Sequence, residues 1–155
     1  RMDGLVDIYL PDMKYVSPAL AQRYSHAPDY FETASLAVAE MVRQVGEPVF
    51  DGNTGLMKKG VIVRHLVLPG CTADSKKVIR YLYQTYGDRI FISIMNQYTP
   101  IGEFPEFPEL NRRVSRREYD RVVDFALELG VENGFIQEGE TAEESFIPEF
   151  DGEGL

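Results

Sequence analysis

Short apolar runs alternate along the chain with longer stretches in which apolar residues recur at helical spacing. The runs, each bounded by turn-forming residues, cover residues 5–10, 61–68, 90–95 and 134–137. The stretches with helical spacing or helix-start signals cover residues 17–24, 29–45, 74–86 and 115–129. Short runs are typical of strands, and strands alternating with helices predict an α/β fold with a parallel sheet. Three or four such units are too few for an eight-stranded barrel, so we expect a small open sheet or about half of a larger barrel.

The run at residues 61–68 is the most informative stretch of the chain. It is rich in Val and ends abruptly at Pro69-Gly70, so we expect a strand buried on both faces. Arg64 interrupts it, and a guanidinium is rarely buried without an anionic partner. The strand therefore predicts one wall of an active site, with Arg64 bound to a carboxylate or to a ligand.

Capping signals predict where the helices begin. Ser17 followed by Pro18 starts the first, Asp74 is expected to cap the third, and Ser115 with Glu118 forms a capping box for the last. Glycines at the ends of the helical stretches indicate their stops.

Three segments lack a regular pattern. Residues 47–59 have the composition of a loop, with room for a small hairpin. Residues 101–113 follow Pro100, contain two further prolines and predict a long loop, of the kind that often covers a functional site. Residues 138–155 carry six Glu and one Asp and predict a solvated acidic tail unless Phe146, Ile147 and Phe150 dock. This leaves residues 1–137 as the folded domain.

Composition narrows the function classes. A net charge of −9 argues against a nucleic-acid partner. No apolar segment reaches membrane-spanning length and no signal peptide is visible, so we expect a cytoplasmic protein without a membrane partner. Cys71 is the single cysteine, which excludes an internal disulfide and a multi-cysteine metal site built by this chain alone. The chain enters its first strand without a natural beginning, which suggests a fragment.

Polar residues stand within or just after successive predicted strands. Asp12 and Lys14 follow the first strand, Arg64 lies within the second, and Asn96 with Gln97 follows the third. Because the chemistry of parallel α/β folds lies at the carboxyl ends of the strands, these five residues are the candidate binding site. No residue is assigned a catalytic role.

Each candidate also has a structural interpretation. Asp12 and Lys14 could point to the same side of an extended segment and pair with neighbouring charges, and Arg64 could pair with Asp12. His65, on the other side of its strand, is expected to be a packed, hydrogen-bonded core residue. Cys71 has no His–acid partners nearby in sequence, so we interpret it as a loop cysteine.

The ordered motifs carry a resemblance. The order Pro-Asp12-Met-Lys14, then Val-Ile-Val-Arg64-His-Leu-Val-Leu-Pro-Gly70, then Ile-Met-Asn96-Gln97 is similar to the C-terminal half of radical S-adenosylmethionine (radical SAM) proteins. The branch concerned is akin to the pyruvate formate-lyase activating enzymes. The likeness runs from about residue 6 to residue 137.

The resemblance implies the later strands of a partial (β/α)6 TIM-like barrel. It also implies two cofactors, S-adenosylmethionine and a 4Fe-4S cluster whose cysteines would lie in a missing N-terminal half. Reductive cleavage of S-adenosylmethionine to a 5′-deoxyadenosyl radical would then allow hydrogen abstraction from a glycyl-radical protein or from a small molecule. By position, Asp12, Lys14, Arg64, Asn96 and Gln97 would bind the cofactor. Gln97 stands near the position at which the activating enzymes have a histidine, so it departs from their pattern. Because one cysteine cannot hold a 4Fe-4S cluster, the chain alone should be inactive.

Two other functions stay open at this point. Lys14 could be the Schiff-base lysine of an aldolase-like barrel, or the chain could be a non-catalytic interaction module. The edge of an open barrel is also a pairing surface, so we expect that a homo-oligomer could form across it.

Overall fold

The computed structural model describes residues 6–96, 106–138 and 143–147, and these form an α/β fold with a largely parallel sheet. The strands are β1 (Ile8–Tyr9), β2 (Val49–Phe50), β3 (Met57–Leu66), β4 (Phe91–Met95), β5 (Gly134–Glu138) and β6 (Glu143–Ile147). The helices are α1 (Pro18–Ser25), α2 (Tyr30–Val45), α3 (Thr72–Tyr86) and α4 (Arg116–Leu129). The α/β class predicted from the alternation of runs and helical stretches is confirmed.

The sheet has six strands and runs in the order β1-β3-β4-β5-β6. Strands β1, β3, β4 and β5 are parallel, so their carboxyl ends meet at one edge. Strand β2 pairs antiparallel with the start of β3, which confirms the small hairpin predicted within residues 47–59.

The core lies between one face of the sheet and three helices. Val61 and Val63 of β3 and Ile92 and Ile94 of β4 are fully buried there. They form one cluster with apolar residues of α2, α3 and α4, among them Val38, Leu82 and Val122. Truncating a fully buried aliphatic side chain of this kind typically costs about 2–5 kcal/mol, so this layer fixes the position of the strands.

Strand β3 is buried on one face and only partly buried on the other. Val61, Val63 and His65 are buried against the helices, but Ile62 and Arg64 on the other face are only partly buried. The prediction that this strand is buried on both faces was wrong for the second face. The same alternation leaves one face of the sheet available for a site at its carboxyl edge.

The helix boundaries follow their capping chemistry with one exception. The Ser17 hydroxyl accepts a hydrogen bond from Leu20 N–H at the start of α1, and the capping box of Ser115 and Glu118 is formed at the start of α4. The prediction for Asp74 was wrong: α3 begins at Thr72 with Cys71 as its N-cap, and Asp74 lies in the first turn. Its carboxylate instead accepts hydrogen bonds from the backbone N–H groups of Val16 and Ser17, just before α1.

The acidic C-terminal segment also differs from the prediction. Residues 143–147 form β6, which pairs antiparallel with β5, where a solvated tail was expected. Backbone pairing with β5 thus adds residues 143–147 to the sheet despite their acidic composition. Of the predicted loop at residues 101–113, the described part contains a short 3-10 helix, Pro108–Asn111.

Candidate functional site

A pocket of about 280 Å³ opens on the face of the sheet that carries Arg64, where β1, β3 and β4 end. Its lining residues are Asp12, Lys14, Tyr15, Arg64, Leu66, Leu68 and Met95. Three of the five predicted site residues therefore share one pocket. They stand at the carboxyl ends of parallel strands, where ligands bind in α/β folds.

The pairing of β1 with β3 brings Asp12 to Arg64. Tyr9 is the backbone partner of Val61, and the same offset makes Asp12 the parallel partner of Arg64 beyond Pro11. Aligned residues on neighbouring strands present their side chains to the same face, and Arg64 Nε donates a 2.9 Å hydrogen bond to Asp12 Oδ1. Arg64 has the carboxylate partner that the sequence required.

Lys14 reaches the same side of the segment as Asp12. Asp12 and Lys14 are exposed, whereas Met13 between them is completely buried. This alternation is the extended geometry expected of two residues spaced by one. The D-x-K spacing thus places one carboxylate and one ammonium group at the same pocket.

The backbone of this segment is held by side chains from two helices. Tyr30 Oη of α2 accepts a 3.0 Å hydrogen bond from Lys14 N–H and donates a 3.2 Å bond to the Asp12 carbonyl. The Asp74 carboxylate accepts from the N–H groups of Val16 at 3.1 Å and Ser17 at 2.8 Å. The pocket side chains therefore project from a backbone that is fixed at several points.

The pocket is completed by apolar residues that were not among the predicted site residues. Leu66 and Leu68 follow Arg64 at intervals of two, and Met95 is the register partner of Leu66 on β4. A strict period of two counted from Arg64 was the signal that could have found them. They give the pocket an apolar surface beside its three charged groups.

The other two predicted residues do not join this group. Asn96 lies at the end of β4 but is not among the lining residues; its backbone N–H donates to Gln137 Oε1. Gln97 lies outside the described residues. Gln137 is itself fixed, because its N–H donates at 2.8 Å to Tyr119 Oη, which in turn donates to the Ile94 carbonyl.

Glu118 connects the loop after β3 to α4. Its Oε2 accepts a 2.8 Å hydrogen bond from Gly70 N–H, and both carboxylate oxygens accept from Arg112 at 2.9 Å. The Arg112 guanidinium, together with the N–H groups of Ser115 and Gly70, lowers the pKa of Glu118 to about 2. The capping box was visible in the sequence, but this bridge to the Pro69-Gly70 turn was not.

Cys71 is the N-cap residue of α3 and is buried. It is 9% exposed, and burial raises the pKa of its thiol. No three His, Cys, Asp or Glu side chains are grouped to hold a metal ion anywhere in residues 6–96, 106–138 and 143–147. A cluster ligated by thiolates would therefore need cysteines from outside this chain.

Comparison with known proteins gives one relative. An uncharacterized protein of Methanocaldococcus jannaschii is 28% identical over 130 residues, which cover 81% of this chain and 32% of that protein. The chain thus spans about a third of the length of that relative. No family model and no solved structure matches the chain. Within the described part of the chain, no helix has the length and apolar character needed to cross a membrane.

Proposed function

We propose that this chain is the C-terminal part of a radical S-adenosylmethionine enzyme similar to the pyruvate formate-lyase activating enzymes. The observation that carries the proposal is the meeting of Asp12, Lys14 and Arg64 in one pocket at the carboxyl edge of a parallel sheet. Each of the three comes from a motif on which the family resemblance rests. Their convergence is what a shared cofactor site requires.

The shape of the sheet supports a place in a partial (β/α)6 barrel. Helices α2, α3 and α4 contribute to the core cluster on the face of Val63 and Ile92, and the pocket lies on the opposite face. In a barrel, the helix-covered face is the outer one and the uncovered face lines the interior. The four parallel strands would be the later strands of such a barrel, and the acidic segment after residue 137 would follow them.

The donor and acceptor set of the pocket suits S-adenosylmethionine. Lys14 and Arg64 can donate to carboxylate or ribose oxygens, and the Asp12 carboxylate can accept from an amine and balance a sulfonium charge. Leu66, Leu68 and Met95 offer an apolar surface to the less polar parts of the same ligand. When bound beside a reduced 4Fe-4S cluster, this cofactor supplies a 5′-deoxyadenosyl radical for hydrogen abstraction.

The cluster itself does not fit this chain. Fe–S clusters are held by about three or four thiolates, and Cys71 is the single cysteine in the sequence. We therefore place the cluster-binding cysteines in a parent polypeptide that contains this chain, and we expect the 155 residues alone to be inactive. The hydrogen donor would be a glycine of a partner protein or a small molecule.

Cofactor cleavage by the parent tests the proposal. The assay measures 5′-deoxyadenosine formed from S-adenosylmethionine under anaerobic reducing conditions, in the parent and in its Asp12→Asn and Arg64→Gln variants. We expect each substitution to lower the rate at least about tenfold, because each removes a charged hydrogen-bonding group from the pocket. Arg43→Gln is the matched control, since Arg43 also pairs with a carboxylate, but on the exposed surface of α2. Unchanged rates in both pocket variants would contradict the proposal.

A Schiff-base lysine is the second candidate, because Lys14 lines the pocket beside the cationic Arg64. Its exposure gives this function less support, since nucleophilic lysines are typically desolvated. Borohydride trapping of a carbonyl compound on Lys14, absent in Lys14→Arg, would favour it over radical chemistry. If Ala substitutions at Asp12, Lys14 and Arg64 left every activity of the parent unchanged, the chain would be a non-catalytic interaction module.

A further inference from the structure

His65 is a buried polar side chain on the face of β3 opposite the pocket. It is 2% exposed, and both of its ring nitrogens have hydrogen-bond partners. Nδ1 lies 2.9 Å from the carbonyl oxygen of Met13, and Nε2 lies 2.8 Å from Ser75 Oγ in the first part of α3. A buried imidazole with both nitrogens occupied cannot itself bind a ligand in the pocket.

The partners of His65 determine its tautomer. A carbonyl oxygen can only accept, so the proton is on Nδ1, and Nε2 then accepts from the Ser75 hydroxyl. Burial lowers the pKa of His65, and this outweighs the opposite effects of the Met13 carbonyl and of Asp74. The neutral Nδ1–H form is the one that keeps both hydrogen bonds at neutral pH.

Met13 is the residue between Asp12 and Lys14. Its N–H donates a 2.9 Å hydrogen bond to the Arg64 carbonyl, and its own carbonyl accepts from His65. Arg64 and His65, which are consecutive in β3, therefore form hydrogen bonds with the backbone N–H and the backbone carbonyl of Met13. The side chain of Arg64 meanwhile extends to the opposite face and binds Asp12.

We infer that His65 is a positioning residue that sets the geometry of Asp12 and Lys14 at the pocket. Arg64 and His65 contact the segment 12–14 from its two sides. The Arg64 side chain pairs with the Asp12 carboxylate, and the His65 ring binds the carbonyl oxygen of Met13, the next residue. The catalytic consequence of this inference rests on the proposed function. Its structural consequence does not, because it concerns groups of this chain alone.

The structural test uses the Arg64 Nε–H signal in ¹H–¹⁵N NMR spectra of the 155-residue chain. Because an Asn amide nitrogen can occupy the place of Nδ1 and a Gln amide nitrogen that of Nε2, His65→Asn retains a donor toward Met13 and His65→Gln loses it. Ser75→Ala removes only the Nε2 partner. We expect the Arg64 signal to be preserved in His65→Asn and Ser75→Ala but shifted and broadened in His65→Gln. A signal unchanged in His65→Gln, or lost equally in Ser75→Ala, would overturn the inference.

The same variants in the parent enzyme separate positioning from folding. We expect His65→Gln to raise the KM for S-adenosylmethionine about tenfold, while His65→Asn and Ser75→Ala stay within about twofold of the parent. Equal KM values in the Gln and Asn variants would overturn the catalytic part of the inference. A parent that does not cleave S-adenosylmethionine at all refutes the proposed function, and the NMR result then decides the positioning role by itself.

Discussion

Arg64 Nε lies 2.9 Å from Asp12 Oδ1, although 52 residues separate the two in the chain. The parallel register of β1 and β3 makes the contact, because it places the two residues opposite each other with their side chains on the pocket face. Both side chains are nearly half exposed, at 43% and 45%. An ion pair between side chains this exposed contributes little to stability.

The Asp12–Arg64 pair should therefore contribute little to the free energy of unfolding. In a double-mutant cycle of Asp12→Asn and Arg64→Gln, measured by urea denaturation, we expect a coupling energy below about 1 kcal/mol. The Glu40–Arg43 pair on α2, which is also exposed, is the matched control and should give a similar value. A coupling of about 3 kcal/mol at Asp12–Arg64 would identify the pair as structural.

His65 should remain neutral in the folded protein at pH values where an ordinary histidine is charged. Its pKa is lowered by burial, so between that value and about 6.5 the unfolded chain binds a proton that the folded chain does not. Stability due to His65 is therefore fully present above about pH 6.5 and is lost as the pH falls. The stability advantage of the wild type over His65→Gln should shrink by about 1 kcal/mol per pH unit below that point.

NMR titration checks the same prediction directly. The chain has two histidines, and His26 is exposed while His65 is buried. The His65 imidazole should keep its Nδ1–H signal to pH values at which an ordinary histidine is protonated, because burial lowers its pKa. A His65 imidazole that titrates near pH 6.5 would contradict the buried geometry.

Glu118 should stabilise the turn after β3 through its charge. Glu118→Gln removes charged hydrogen bonds to Arg112 and to Gly70 N–H, so we expect the free energy of unfolding to fall by about 1–3 kcal/mol at pH 7. Because the folded pKa is about 2, below the unfolded value of about 4.3, this contribution is complete above about pH 4.3. It is lost as the pH falls toward 2.

Urea denaturation at pH 7 and at pH 3 measures this effect. The difference between wild type and Glu118→Gln should be smaller at pH 3. Glu128→Gln, an exposed position on the same helix, should change the unfolding free energy by less than about 0.5 kcal/mol at either pH. A Glu118→Gln variant as stable as the wild type at pH 7 would show that the bridge to Gly70 does not contribute.

Cys71 should react slowly as long as the protein is folded. Burial raises the pKa of its thiol and limits access, and the thiolate is the reactive form. At pH 8 we expect alkylation by iodoacetamide to be at least about tenfold slower than in urea, with no reaction in Cys71→Ser. Equal rates in folded and unfolded protein would contradict the burial of Cys71.

The sequence predicted the elements well because their signals are local. Helices α1, α2 and α4 begin and end close to their capping residues, and the predicted strands are found with shifted ends. The failures involve long-range partners. Asp74 is a residue type that often caps helices, but its carboxylate accepts hydrogen bonds from the N–H groups of Val16 and Ser17, some 57 residues away in the chain. Residues 143–147 look solvated by composition, yet pair with a strand that already exists in the fold.

The site was predictable in part for the same reason. The polar positions Asp12, Lys14 and Arg64 stood out because charge near a buried strand is costly without a partner. Leu66, Leu68 and Met95 did not stand out, because an apolar residue in a strand looks the same whether it faces the core or a pocket unless the period of two is counted from Arg64. His65 was correctly expected to be a hydrogen-bonded core residue, but its partner Met13 could be identified only from the register of β1 and β3.

We propose that the pocket binds S-adenosylmethionine in a radical enzyme. The most direct test is the EPR spectrum of the anaerobically purified, reduced parent protein, recorded with and without S-adenosylmethionine and accompanied by iron and acid-labile sulfide analysis. We predict a 4Fe-4S signal that changes when the cofactor is added and changes less in Asp12→Asn than in the parent. A parent without iron, or with a cluster signal that S-adenosylmethionine leaves unaltered, would contradict the account.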